Sequence, residues 1–354
     1  MRIAIVAPPW VAVPPVAYGG TELVLDGLAR GLATSGHDVL LYTTGDSTCP
    51  VPKAWVFEKA CGIGPSGAVT EMHHVIHAYE AVSGYDIVHD HTLVGPVYAE
   101  RFPNLAVVTT NHGPFDGELH DYYRAMADRV PIIAISHHQA STAGDIPVAA
   151  VIHHGLDVDK YPFGVGRGGY ALFLGRMSPD KGVDTAVRVA RKAGVPLKIA
   201  GKLNEQPEYD YFNERVRPLL GGDVEFIGEV GDAAKFEALG GALCLLNPMQ
   251  WNEPFGMVMI EALASGTPVV ATPRGAAPEL VDEGVTGYLR SGEEDLAEVL
   301  RRVGELERAQ CRKAAETRFS LQPMVAAHVA LFERVLSGEL TPPRFDHLVE
   351  ESAA

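Results

Sequence analysis

Glu253-Pro-Phe-Gly-Met-Val-Met-Ile-Glu261-Ala-Leu-Ala-Ser-Gly-Thr-Pro-Val269 sets two carboxylates eight residues apart, one just before an expected helix and one about two turns inside it. Pro254 and Gly256 suit the helix start, where proline loses no hydrogen bond and glycine permits close backbone approach. Gly266-Thr-Pro268 ends the helix, and Val269-Val270-Ala271 then reads as a strand. The free N–H groups of the first turn form a ready anion site. Glu261 stands in an otherwise apolar run from Met257 to Ala264, where a carboxylate without a partner is costly. A site that offers amides to phosphate and carboxylates to diols is suited to a nucleotide-sugar.

Outward from this run the chain alternates between strands and amphipathic stretches. Apolar strands are expected at 3–7, 39–42, 87–89, 106–109, 132–135 and 148–152, with a helix at 21–33 carrying Leu23, Leu28 and Leu32 near helical spacing. The glycine-rich segment 157–169 reads as a connection, after which strands recur at 170–174, 197–200, 224–227, 242–246 and 269–271. Such alternation predicts parallel sheets covered on both faces, an α/β fold. A charged helical stretch runs from Asp295 to about Glu316, and 320–337 is a further amphipathic helix. The expected division is a first domain at 1–160, a second at 161–319, a terminal helix at 320–338 and a loosely ordered polar tail at 339–354.

Further motifs stand in order along the chain. They are Tyr18-Gly19-Gly20-Thr21-Glu22, Thr110-Asn-His112-Gly113, Gly175-Arg176-Met-Ser-Pro-Asp-Lys181-Gly182, Gly275-Ala-Ala-Pro-Glu279 and Val285-Thr-Gly287-Tyr. Alone, each has an ordinary explanation: a Gly-Gly turn, a structural histidine at a strand end, or a surface Arg-x4-Lys pair. Arg176, however, follows an expected strand at its carboxyl end, where open α/β sheets place ligands, and Lys181 is expected to open the next helix.

Together with the Glu253–Glu261 run, this set resembles the retaining glycosyltransferases of family 4 across some 270 residues. The resemblance implies the GT-B fold: two Rossmann-like domains facing a central cleft, the first for the acceptor and the second for the donor, with the C-terminal helix crossing back to the first. It assigns Arg176 and Lys181 to the diphosphate, Glu253 to the transferred sugar and Glu261 to the ribose. It sets His112 beside the donor sugar and Gly20 near the phosphate, with backbone groups of Phe255, Gly256 and Met257 completing the contacts and Glu279 near the nucleotide. Gly19, Asp90 and His91 are acceptor-side candidates. The implied reaction moves a hexosyl group from a nucleoside-diphosphate sugar, uridine favoured over guanosine, without metal or other cofactor and without an assigned protein nucleophile. A sugar-nucleotide epimerase or hydrolase, or a non-catalytic nucleotide-sugar-binding protein, remains an alternative.

Composition narrows the rest. The net charge of −16 is spread along the chain, and no basic stripe for nucleic acid or polybasic helix for anionic lipid stands out, so a soluble acceptor is expected. Cys49, Cys61, Cys244 and Cys311 are scattered, which speaks for a reducing cytoplasm rather than a disulfide framework. The N-terminus runs directly into a strand, so neither a signal peptide nor a membrane segment is expected. A nicotinamide dehydrogenase is disfavoured because Ala7-Pro8-Pro9-Trp10 stands where a Gly-x-Gly-x2-Gly fingerprint belongs. Twelve of the fourteen histidines precede residue 155. The pairs His73/His77 and His89/His91 have spacing that could ligate a metal, but hydrogen-bonding roles are the expectation, with no metal site.

Overall fold

The computed structural model describes residues 1–16, 19–64 and 66–340. Tyr18 of the glycine loop and the tail 341–354 lie outside the described residues. Seven strands form the first sheet: β1 (Arg2–Val6), β2 (Asp38–Thr43), β3 (Lys53–Trp55), β4 (Ile87–Asp90), β5 (Ala106–Thr110), β6 (Ile132–Ala134) and β7 (Val148–Val151). Six form the second: β8 (Ala171–Leu174), β9 (Leu197–Ala200), β10 (Val224–Gly228), β11 (Cys244–Asn247), β12 (Val269–Ala271) and β13 (Gly287–Leu289). The orders are β3-β2-β1-β4-β5-β6-β7 and β10-β9-β8-β11-β12-β13, and all recorded pairings between these strands are parallel. β4, β11 and β12 are buried along their whole length, as helices on both faces require.

The eleven expected strands occur, with ends shifted by at most two residues. β3 and β13 were not expected. Each is an edge strand only partly buried, so its sequence carries no continuous apolar run. At Gly287 a Cβ would stand 2.0 Å from the carbonyl oxygen of Val269, so close strand approach accounts for that motif glycine. The charged stretch after residue 292 divides into two helices, Glu293–Arg302 and Arg308–Arg318.

In each sheet the strand order reverses beside the first strand, between β1 and β4 and between β8 and β11. Chains leaving the carboxyl ends there diverge and open a crevice. The two crevices face each other. Gly20, first residue of the helix Gly20–Thr34, has Met257 Cγ 3.7 Å from where its Cβ would be, and Met257 begins the helix Met257–Ala264. Two helix mouths from different sheets thus meet across the gap.

The last helix, Leu321–Leu336, lies on Gly20–Thr34. Its Met324, Val325, Leu331 and Phe332 join the core of the first sheet with Ile3, Leu25 and Leu28. Each such buried side chain contributes ~1.5–3 kcal/mol. Gly31 leaves room for this contact, since a Cβ there would sit 2.5 Å from Val325 Cγ2. The chain crosses between sheets beside this helix, where Leu156 N–H donates to Phe319 O at 2.9 Å.

Candidate active site

The facing crevices enclose a cleft of about 860 Å³. Of the residues singled out from the sequence, Gly19, Gly20, His112, Arg176, Lys181, Glu253, Phe255, Gly256, Met257 and Glu261 line it. Asp90, His91 and Glu279 do not form its wall.

The cationic side of the cleft grows from the carboxyl end of β8. Arg176 lies just beyond this strand, its Nη2 3.8 Å from Asp180 Oδ2 and its Nε buried without a hydrogen-bond partner. Lys181 does not open the next helix, as its spacing suggests, but closes the one-turn helix Pro179–Lys181. Gly182 then turns into the left-handed region (φ 72°) and starts Val183–Ala193. A side chain at Gly182 would meet Pro248 O at 2.2 Å. The glycine therefore brings the lysine turn against the loop after β11. There Lys181 pairs with Glu253, and its ammonium lies 5.0 Å from the Trp251 ring. Trp251 Nε1–H donates to Glu253 Oε2 at 3.0 Å.

Glu253 is held from behind. Ala276 N–H donates to its carbonyl at 2.9 Å, and a Cβ on Gly275 (φ 60°) would stand 2.1 Å from that same oxygen. The Gly275-Ala276 motif is thus the backing of the Glu253 turn. Gly256, also left-handed at φ 98°, caps the helix Met257–Ala264 without a side-chain cap bond. Met259 N–H turns back to Gly256 O at 3.0 Å, so the N–H groups of Met257 and Val258 are the ones left available to an anion.

Glu261, on that helix, is 4% exposed. Its Oε1 accepts from Tyr161 OH at 2.9 Å and from Lys235 Nζ at 2.8 Å. Burial pulls the Lys235 pKa down, but the Glu261 and Asp232 carboxylates together outweigh this and leave it raised. Tyr161, Lys235 and Trp251 were not legible as site residues. Lys235 lies 26 positions before Glu261 on a different helix, Asp232–Gly241, and no local pattern links the two.

On the other wall, His112 Nε2 lies 2.8 Å from His91 Nδ1, so His91 stands behind His112. Burial, with the nearby His328, lowers the His112 pKa to about 4, and His89, His91 and His154 are likewise held well below the ordinary range. These imidazoles are neutral at pH 7, and His112 offers the cleft a hydrogen-bonding group rather than a charge. Asp90 is turned inward, accepting from Tyr79 OH at 2.7 Å and from Thr92 N–H at 2.7 Å. Burial outweighs those bonds and raises its pKa to about 6.

Glu279 reaches to the first sheet's side. It accepts from the N–H groups of His137 (2.8 Å) and His138 (2.6 Å) and lies 2.8 Å from His153 Nε2. Burial would raise its pKa, but these three bonds bring it down to about 2. His137, His153 and Glu279 also bring three ligand atoms within 4.8 Å of one another. Neither His73/His77 nor His89/His91 belongs to such a group among the described residues. Among the described residues, no helix is long and apolar enough to cross a membrane.

Comparison with known proteins agrees with this geometry. The family described as Glycosyltransferase Family 4 matches residues 18–160, and that described as Glycosyl transferases group 1 matches residues 165–318. A phosphatidyl-myo-inositol mannosyltransferase of Mycolicibacterium smegmatis is 28% identical over 82% of this chain and 80% of its own length. The crystal structure of AviGT4, a glycosyltransferase involved in avilamycin A biosynthesis, superimposes with a TM-score of 0.72 at 28% identity, covering 95% of this chain and 98% of that one. Anabaena HepE in complex with UDP and glucose has the same fold, with a TM-score of 0.74 at 20% identity over 94% of this chain and 99% of its own.

Proposed function

Because the chain belongs to the group 1, family 4 glycosyltransferases and has the GT-B fold, we propose that it moves a hexosyl residue from a nucleoside-diphosphate sugar to an acceptor hydroxyl, with retention and without a metal. One observation carries the reading: Arg176, Lys181, Glu253, Glu261 and the open helix mouth at Gly256–Met257 converge on a single cleft that Gly20 and His112 close from the other domain.

The chemistry follows from where charge develops. As the bond to the anomeric carbon breaks, the departing diphosphate gains negative charge. Arg176, Lys181 and the first-turn N–H groups are aimed at that region, and each fixed cation or donor of this kind contributes about 3–4 kcal/mol of transition-state stabilisation. Glu253, tied to Lys181 and Trp251, orients the sugar hydroxyls and keeps the lysine in place. Glu261 holds the ribose. Neutral His112 supplies a hydrogen bond to the sugar from the opposite wall. The acceptor enters from the first-domain side beside Gly19; its hydroxyl oxygen bonds to the anomeric carbon as the bond to the diphosphate breaks, and the departing diphosphate takes its proton on that same face.

A UDP-sugar is the first donor to test, since the Anabaena neighbour of this fold holds UDP and glucose. Mannosyl donors, including GDP-mannose, come next because a sequence relative is a mannosyltransferase. Incubating the protein with UDP-, GDP- and ADP-hexoses and soluble sugar acceptors should give a product whose anomeric configuration by NMR matches the donor, undiminished by EDTA. Lys181→Ala and Glu253→Gln should each lower turnover by about 10²–10³ while remaining folded. Wild-type turnover in either variant overturns the assignment.

A further inference from the structure

Glu261 is gripped from one side only. Both Tyr161 OH and Lys235 Nζ reach Oε1, and among the described residues no donor reaches Oε2. Lys235 also approaches Asp232 Oδ1 at 3.4 Å. An ammonium has three N–H donors, and the third has no partner among the described residues. The side chain of Lys235 is 12% exposed, its Nζ 5.7 Å from the Phe236 ring, which packs on Tyr161 at 4.7 Å between centroids. Tyr161, Asp232, Lys235, Phe236 and Glu261 all line the cleft.

The corner therefore presents one free carboxylate oxygen beside one free ammonium N–H, both largely removed from water. A single group that donates to the first and accepts from the second satisfies both, and a sugar hydroxyl has that capacity. We infer that Lys235, positioned with Glu261 by Tyr161, is a specificity-determining residue that reads one ribose hydroxyl of the nucleotide and rejects the corresponding deoxynucleotide. A nucleotide lacking that hydroxyl leaves a buried ion pair incompletely hydrogen-bonded, and sites built around a hydroxyl discriminate strongly against its absence. This inference rests on the reading of Glu261 as the ribose-holding residue.

The test measures binding of UDP, GDP and ADP by calorimetry, takes the tightest, and compares it with its 2′-deoxy and 3′-deoxy forms. Wild type should prefer the ribonucleotide over one of the two by tenfold or more. In Lys235→Met that ratio should fall towards one, Lys235→Arg should restore part of it, and Glu261→Gln should also lower it. A wild-type ratio in Lys235→Met, while Glu261→Gln lowers it, overturns the role of Lys235 and leaves the ribose reading of Glu261 intact. A ratio unchanged in both overturns the ribose reading and this inference with it. If Lys235→Met loses its cooperative melt, Lys235→Arg and Tyr161→Phe carry the comparison. A lysine that only neutralised Glu261 would shift melting without moving the ratio.

Discussion

Replacing Glu279 by glutamine tests whether a carboxylate on the second domain clasps the first. In the structure it accepts two backbone N–H groups at the start of the helix His137–Ser141 and a bond from His153. These bring its pKa from 4.5 to about 2. A carboxyl moved that far corresponds to roughly 3 kcal/mol of stabilisation. The side chain keeps 18% exposure, and solvent screening reduces the expected figure to about 1.5 kcal/mol. The folded value lies below the unfolded one, so this contribution is complete above pH 4.5 and lost as pH falls towards 2. By pH 3.5 about two-fifths of it is gone. Denaturant unfolding should therefore show Glu279→Gln less stable than wild type by ~1.5 kcal/mol at pH 7, narrowing to ~0.9 kcal/mol at pH 3.5. Equal stabilities at pH 7, or a gap that widens on acidification, would refute the clasp.

Two further outcomes are expected. Gly275→Ala places a Cβ 2.1 Å from Glu253 O at a position with φ 60°, so the Glu253 turn must shift. A displacement near 1 Å costs about 10²-fold in rate, so turnover should drop at least tenfold while nucleoside-diphosphate affinity changes little if, as proposed, Glu261 carries it; a near-normal rate would show that the turn tolerates the shift. Burial also holds His112 and His328 near 4 against an ordinary 6.5. The unfolded chain then takes up protons first, and stability should fall as pH drops from about 6.5 to 4. His328→Phe, beside His89 and Phe332, should flatten that fall, which equilibrium unfolding across the range will check.

The alternation of buried strands with amphipathic helices was legible because parallel sheets covered on both faces demand long apolar runs, and eleven of the thirteen strands carry them. The carboxylates of the Glu253–Glu261 run and the Arg176–Lys181 segment were legible for a related reason: helix mouths and strand ends need particular residues at short spacing. Their approach was not. Lys181 meets Glu253 across 72 positions and Lys235 meets Glu261 across 26, because parallel strands deliver segments distant in sequence to the same carboxyl face of the second sheet. The inward turn of Asp90, the placement of His91 behind His112 and the reach of Glu279 to the first domain likewise depend on burial and on which donors happen to be near. Local spacing determined the elements and the chemical repertoire of this chain. Which of those groups face the cleft was decided by tertiary packing, since a side chain's partner is set by distance in space and not along the chain.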